Sequence, residues 1–189
     1  MKKLNDSEQK ALNTIAAALG VPVEWPYNVI SLETAKKDKT GRVVVTWDPA
    51  ILNDTTKAAG IIQFMPDTAR ALGYKDQYDL LQKHPTIESQ LLGPVLKYFK
   101  QFAPFPSEQS FYLSVFYPAY RYKSIDTTFS PLIQQQNPGI KTVGDYVAAV
   151  RRFGNIARGI PAAAAPIAGI ILLIGLVGFL INRYLNFKG

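Results

Sequence analysis

Between Arg158 and Arg183 the chain runs for 24 residues, 159–182, without one charged side chain. No other feature limits its fold as strongly. An apolar run of this length must leave water, and only a bilayer or the middle of a large core accepts it. At 189 residues there is room for one ordinary domain and an appendage, not for a core that would swallow such a helix. The stretch 160–181, which opens on Ile160 and closes on Ile181, extends about 33 Å at ~1.5 Å per residue, enough for a hydrocarbon layer of about 30 Å. Gly169, Gly175 and Gly178 are ordinary residues in membrane helices, and Tyr184 stands where an interfacial aromatic belongs. We therefore expect a domain at 1–155 followed by a transmembrane anchor and short tail at 156–189, with the lipid bilayer as a partner through 160–181.

The remainder reads as mainly helical with a small β element. Asp6 and Gln9 make a capping pair, and Leu12, Ile15, Ala16 and Leu19 recur at helical spacing, which predicts a helix over 7–19 closed by Gly20. Pro26 can occupy the first turn of a second helix, with Val29, Ile30 and Glu33 on one face. A carboxylate on an apolar helix face is partly desolvated, which raises its pKa. The residue-level alternative is an exposed Glu followed by the solvated run Lys36-Lys37-Asp38-Lys39. Residues 41–47 are rich in strand formers, Asp48-Pro49 ends that strand, and Asn53-Asp54-Thr55 reads as a turn. Helices are expected over 76–82 and 86–102, the latter kinked or split by Pro94. Ser107 caps another that runs through Tyr112, Val115, Phe116 and Ala119. Residues 124–138 lack periodicity and read as loop. Thr142 and Asp145 cap a last helix that ends near Gly154.

Composition removes several chemistries. There is no cysteine, so no disulfide framework or thiolate metal site is possible, and the single His84, placed before Pro85, reads as a loop residue. No metal or cofactor is expected. Of 21 basic and 14 acidic residues only Arg183 and Lys188 fall within 159–189, so the domain remains mildly basic. That suits an anionic glycan or a nucleic acid equally well.

One stretch narrows the choice: Ala58-Ala59-Gly60-Ile61-Ile62-Gln63-Phe64-Met65-Pro66-Asp67-Thr68-Ala69-Arg70-Ala71-Leu72-Gly73. By pattern it is a turn leading into a short helix stopped by Gly73. Its wording resembles the Gly-Leu-Met-Gln-Ile-Met-Pro-x-Thr-Ala signature of soluble lytic transglycosylases, which cut the glycan strands of peptidoglycan and share a fold with goose-type lysozymes. Three further segments resemble that family in order. They are Leu32-Glu33-Thr34, Tyr112-Leu113-Ser114-Val115-Phe116-Tyr117-Pro118-Ala119, and Asn137-Pro138-Gly139-Ile140-Lys141-Thr142-Val143-Gly144-Asp145-Tyr146-Val147. The last two are most similar to the phage-encoded branch. The resemblance spans roughly residues 20 to 153.

The resemblance implies an α+β, lysozyme-like fold and one catalytic acid, Glu33. That acid protonates the leaving oxygen and then takes the proton of the C6 hydroxyl of N-acetylmuramic acid, closing a 1,6-anhydro ring. Gln63 corresponds to the glutamine that contacts substrate, Gly60 to the glycine that lets backbone approach the sugar, and Thr34 to the family's Ser. Tyr117 corresponds to a tyrosine hydrogen-bonded to the acid. Pro118 stands where the family has Asn. Asp48, Asp54 and Asp67 are candidates for a second carboxylate, although Asp67 more simply caps its helix and the other two are turn residues. Tyr117, Tyr120 and Tyr122 are either core or a sugar-stacking groove. The expected partners are the peptidoglycan strand, the bilayer and capsid or other virion membrane proteins, with no nucleic acid. With no secretory signal ahead of the domain and Arg151, Arg152 and Arg158 on its side of the span, the domain is expected on the cytosol-derived face of a phage internal membrane. Two rivals stay open: a goose-type muramidase that uses water, and a degenerate, non-catalytic glycan-binding virion protein.

Overall fold

The first helix, α1 (Asp6–Leu19), is capped one residue earlier than its spacing suggests. Asn5 Oδ1 accepts from the Glu8 amide and Glu8 Oε2 accepts from the Asn5 amide, both at 2.9 Å, so the reciprocal pair is Asn5 and Glu8 and not Asp6 and Gln9. Gly20 closes the helix in the left-handed region at φ 65°. The computed structural model describes residues 3–160. Among these no helix is long and apolar enough to cross a membrane, and the expected span lies outside them except for Ile160.

α2 (Glu24–Glu33) follows, with Pro26 in its first turn, and buries Val29, Ile30, Leu32 and Glu33. The basic run behind it is a strand and not merely a solvated tail. β1 (Ala35–Lys37) pairs antiparallel with β2 (Val43–Val45), Ala35 facing Val45 and Lys37 facing Val43. Asp38 closes this hairpin by accepting from the Thr40 and Arg42 amides at 2.9 and 3.0 Å. α3 (Pro66–Ala71) opens on proline. Asp67 does not cap it, since the cap position is Met65, and Asp67 pairs instead with Arg70 one turn on.

α4 (Gln77–Lys83) is capped by Asp76 and ends at His84. The expected long helix over 86–102 is split as Pro94 requires. α5 (Ile87–Gln90) runs into a π-helical turn at Leu91–Val95, then α6 (Leu96–Lys100). α7 (Glu108–Phe116) starts at the Ser107 cap and stops before Pro118, so Ala119 belongs to a 3₁₀ turn, Pro118–Tyr120. Within the segment read as loop, Ser130 and Pro131 start α8 (Pro131–Gln136). Its three glutamines are good helix formers, and a six-residue helix shows too little periodicity to detect. α9 (Val143–Arg158) runs four residues beyond Gly154 and ends at Gly159, φ 76°. Gly154 is there for close approach: a Cβ on it would stand 1.8 Å from Asn28 Oδ1 of α2.

Two interactions hold this helical layer together. A polar chain crosses from α9 through α2 to α7. Arg158 donates to Asn28 Oδ1 (3.0 Å), Asn28 Nδ2 donates to the Tyr112 hydroxyl (2.9 Å), Tyr112 donates to Glu108 (2.5 Å), and Arg151 donates to the same carboxylate (2.9 Å from Nε). An aromatic core stands beside it. Phe99 stacks on Phe111 with centroids 4.3 Å apart, and Phe105 and Tyr98 meet the pair edge-on.

Candidate active site

Glu33 closes α2 on its inward face and is 5% exposed. Burial pushes its carboxyl from the usual carboxylate range up to about 8. The position contributes in the same direction, because the C-terminal end of a helix carries partial negative charge that disfavours a carboxylate. Among the described residues no cation opposes the effect, and the side chain makes no hydrogen bond. A carboxyl so placed keeps its proton at neutral pH.

Two phenols share this environment, and sequence reasoning did not single out either. Tyr98 of α6 and Tyr146 of α9 both have hydroxyls held above the ordinary range, first by burial and then by the charge of Glu33. Tyr98 donates to the Ser114 carbonyl at 2.7 Å. The Tyr146 ring stacks on Phe116 at 4.2 Å, while its hydroxyl is sealed from water with no partner among the described residues. Both tyrosines lie on apolar helix faces, so spacing marks them as core. Nothing in that pattern signals a carboxyl beside them.

The stretch that resembles the transglycosylase signature folds as a tight loop over 59–64. Ala59 and Phe64 exchange both backbone hydrogen bonds (3.0 and 2.7 Å), and the Gln63 amide donates to the Gly60 carbonyl at 2.9 Å. Gly60 (φ 77°) and Gln63 (φ 53°) both take left-handed conformations to turn the chain. The Gln63 side chain is buried and donates from Nε2 to the Gly60 carbonyl at 3.0 Å, which holds the loop's shape. A residue absent from the motif supports all of this. Gln90 of α5, fully buried, accepts from the Ile61 amide (2.9 Å) and donates to the carbonyls of Pro49 (2.7 Å) and His84 (3.0 Å). A Cβ at Gly60 would stand 2.7 Å from Gln90 Oε1, so the glycine is required by backbone conformation and by space together. A polar residue interrupting the Ile87–Leu91 apolar face was the available signal for Gln90.

Thr34 is buried, and its hydroxyl donates to the Ile30 carbonyl at 2.8 Å. Its own carbonyl accepts from the Thr46 amide and hydroxyl at 3.2 and 2.9 Å. It therefore ties the end of α2 to the hairpin, with its hydroxyl turned to backbone. Tyr117 is half-buried against Tyr120, ring centroids 5.0 Å apart. No hydrogen bond joins Tyr117 to Glu33 among the described residues, and the phenols in the field of that carboxyl are Tyr98 and Tyr146. Phe64, next to Gln63, meets Tyr98 edge-on at 6.2 Å, which links the motif loop to the Glu33 cluster.

Of the other candidates, Asp48 accepts from the Ala50 amide at 3.0 Å as a turn residue, and Asp67 is paired with Arg70. His84 caps α4 and bonds the Tyr74 hydroxyl through Nε2 at 2.8 Å. Among the described residues no three His, Cys, Asp or Glu side chains converge as a metal site. A cavity of about 820 Å³, whose lining includes Leu12, Val23, Tyr27 and Ala157 together with the charged Asp6, Glu24 and Arg158, lies at the opposite end of α2 from Glu33 and holds none of these groups. No family model matches the chain, and no curated protein or solved structure matches it.

Proposed function

We propose that this chain is a membrane-anchored peptidoglycan lytic transglycosylase with a lysozyme-like domain, in which Glu33 is the single acid and base. The observation that carries the reading is the buried Glu33 carboxyl, held protonated up to about pH 8 with two phenols beside it. Hydrolytic glycosidases commonly need two carboxyl groups, one to protonate the leaving oxygen and one to activate water or attack the sugar. A single acid suffices when the nucleophile is internal. Glu33 donates its proton to the glycosidic oxygen as the C1–O bond breaks. The resulting carboxylate then takes the proton of the C6 hydroxyl as O6 bonds to C1. The acid is restored and no water is consumed. The hydroxyl is already tethered near C1, so proximity does the work of an activated water. A raised pKa suits the first step, and the return to neutrality favours the second.

The anchor is assigned to 160–181. α9 ends at Arg158 with Gly159 as its cap, and Ile160 beyond it is half-exposed. With three arginines on the domain side, we place the domain on the cytosol-derived face, in the internal membrane of a phage particle, where it acts on the wall during entry. The test is to digest purified peptidoglycan with the chain and weigh the products. Anhydro ends, lighter by one water than reducing ends, are expected. Reducing ends make it a muramidase, and binding without products makes it a glycan-binding protein.

A further inference from the structure

The cavity at the far end of α2 from Glu33 has no part in the chemistry above. Three helix ends meet on it: Asp6 opens α1, Glu24 opens α2 and Arg158 closes α9, with Lys3 on the approach to α1. Its volume of about 820 Å³ falls within the roughly 300–1,000 Å³ of small-molecule sites. Leu4, Leu12, Val23 and Ile160 give it an apolar wall, and its charged groups are two cations and two carboxylates. Among the described residues none of these four charges is in an ion pair. The guanidinium of Arg158 is nevertheless held in place. It lies over the Tyr27 ring, 5.0 Å from the centroid, and donates to the side-chain oxygens of Asn28 and Asn155 at 3.0 and 3.4 Å. A ring and two neutral amides fix its plane and leave its charge unmatched.

Unpaired charges of both signs beside an apolar wall fit a ligand that carries a phosphate, an ammonium and a hydrocarbon part. Location says where such a molecule comes from. Ile160 both lines the cavity and opens the apolar run 160–181, so the cavity stands where the chain leaves the domain for the bilayer. Phospholipid head groups occupy that level. The polar wall selects among them. A purely anionic head group would face Asp6 and Glu24 with nothing to offer them. A quaternary ammonium calls for an aromatic cage, whereas Tyr27 is the one ring in the lining among the described residues and Arg158 already covers it. A primary ammonium hydrogen-bonds to carboxylates. We propose that this cavity is a lipid site for one phospholipid with a primary-amine head group. Its phosphate pairs with Arg158 and Lys3, its ammonium with Asp6 and Glu24, and its chains leave along Leu4, Val23 and Ile160. A lipid so held fixes the domain against the membrane surface. The proposal rests on the anchor at 160–181 and not on the glycan chemistry.

The test reconstitutes the full chain in vesicles of equal parts phosphatidylethanolamine, phosphatidylcholine and phosphatidylglycerol, transfers it to nonionic detergent and counts retained lipid by native mass spectrometry. One phosphatidylethanolamine per chain is expected, enriched over the other two on the order of tenfold, as for charge-assisted hydrogen bonds. Asp6→Asn with Glu24→Gln should abolish the enrichment. Arg158→Lys, which keeps charge without the planar stack, should weaken retention severalfold. Equal retention of the three lipids, preference for either of the other two, or no retained lipid overturns the proposal. Enrichment that the double variant leaves unchanged also overturns it, because the lipid then sits on the apolar run and not in the cavity. Thermal transitions check that the variants fold, and Glu24→Gln alone carries the test if the double variant does not. A chain that fails to float with the vesicles refutes the anchor reading. The cavity is then decided by titrating that chain with a short-chain phosphatidylethanolamine below its micelle concentration: saturable binding that the variant removes supports the site, and no binding overturns it.

Discussion

Replacing Glu33 by glutamine retains the shape of the side chain and removes a carboxyl whose protonation at neutral pH differs between folded and unfolded chain. Unfolded, the carboxyl ionises near 4.5; folded, it holds its proton until about 8. Between those values the native state binds more protons than the unfolded state, so this group's contribution to stability is intact below about 4.5 and is lost as pH rises towards 8. At about 1.36 kcal/mol per pH unit the loss is roughly 3 kcal/mol at pH 7 and on the order of 5 kcal/mol above pH 8. A neutral amide at this position carries no such slope. Wild type and Glu33→Gln are therefore expected to unfold together near pH 4 and to separate with pH, the variant being the more stable. At about 2–4 °C per kcal/mol for a domain of this size, the gap at pH 7 is roughly 6–12 °C. Thermal unfolding of the full chain in detergent at pH 4, 7 and 9 measures it. The same variant should lose glycan cleavage by about 10²–10⁴ or more, and wild-type cleavage should fall as pH rises through about 8. Parallel stability–pH curves for the two proteins would show that Glu33 is not desolvated as described. Near-normal turnover in Glu33→Gln would end its catalytic role.

Tyr146→Phe removes a sealed hydroxyl that has no partner among the described residues, so stability should hold or rise by up to about 1 kcal/mol, whereas kcat should drop at least severalfold; unchanged kinetics would make Tyr146 a packing residue. Gln90→Ala strands the Ile61 amide and the Pro49 and His84 carbonyls, and should cost about 3–5 kcal/mol in denaturant unfolding; a cost below about 1 kcal/mol would mean the loop holds its own shape. Gly154→Ala should destabilise by about 3 kcal/mol despite alanine's better helix propensity, because its Cβ would overlap Asn28; a gain in thermal stability would refute the close α2–α9 contact. Protease added to intact spheroplasts expressing the full chain should spare the domain, and its digestion from outside would reverse the proposed topology.

Much of the helical frame was legible because its signals are local. Ser107, Thr142 and Asp76 cap where such residues do, and Pro94 splits its helix for steric reasons that need no knowledge of neighbours. What stayed illegible depended on contacts far along the chain. Lys36 and Lys37 look like a solvated run until Val43–Val45 gives them a partner. Asn28 reads as a polar residue on a helix until Tyr112 and Arg158, 84 and 130 residues away, engage it. At the candidate site Glu33 and the Gly60–Gln63 loop were visible as motif, but the phenols beside the carboxyl were not. Tyr117 was assigned that place by resemblance, and the chain turns it towards Tyr120.

Several local costs of this fold fall on Glu33 and on residues linked to it. A carboxyl is kept from water, the Tyr146 hydroxyl beside it has no partner among the described residues, and Gln63 holds a left-handed backbone at φ 53°. Trp47, a bulky residue for which positive φ is a true outlier, sits at φ 48° and donates from Nε1 to Ser31, two residues before Glu33. Each such feature destabilises by about 1–3 kcal/mol and persists only where its surroundings over-determine it. Here the surroundings are the stacked Phe99–Phe111 pair, the rings around Tyr98 and the three bonds of Gln90. A domain selected for stability alone would have no reason to seat an acid, an unpaired hydroxyl and two strained residues on one rigid aromatic bed. The proposed transglycosylase reading supplies such a reason, and under it substitutions that relieve any single cost are expected to stabilise the fold while weakening glycan cleavage.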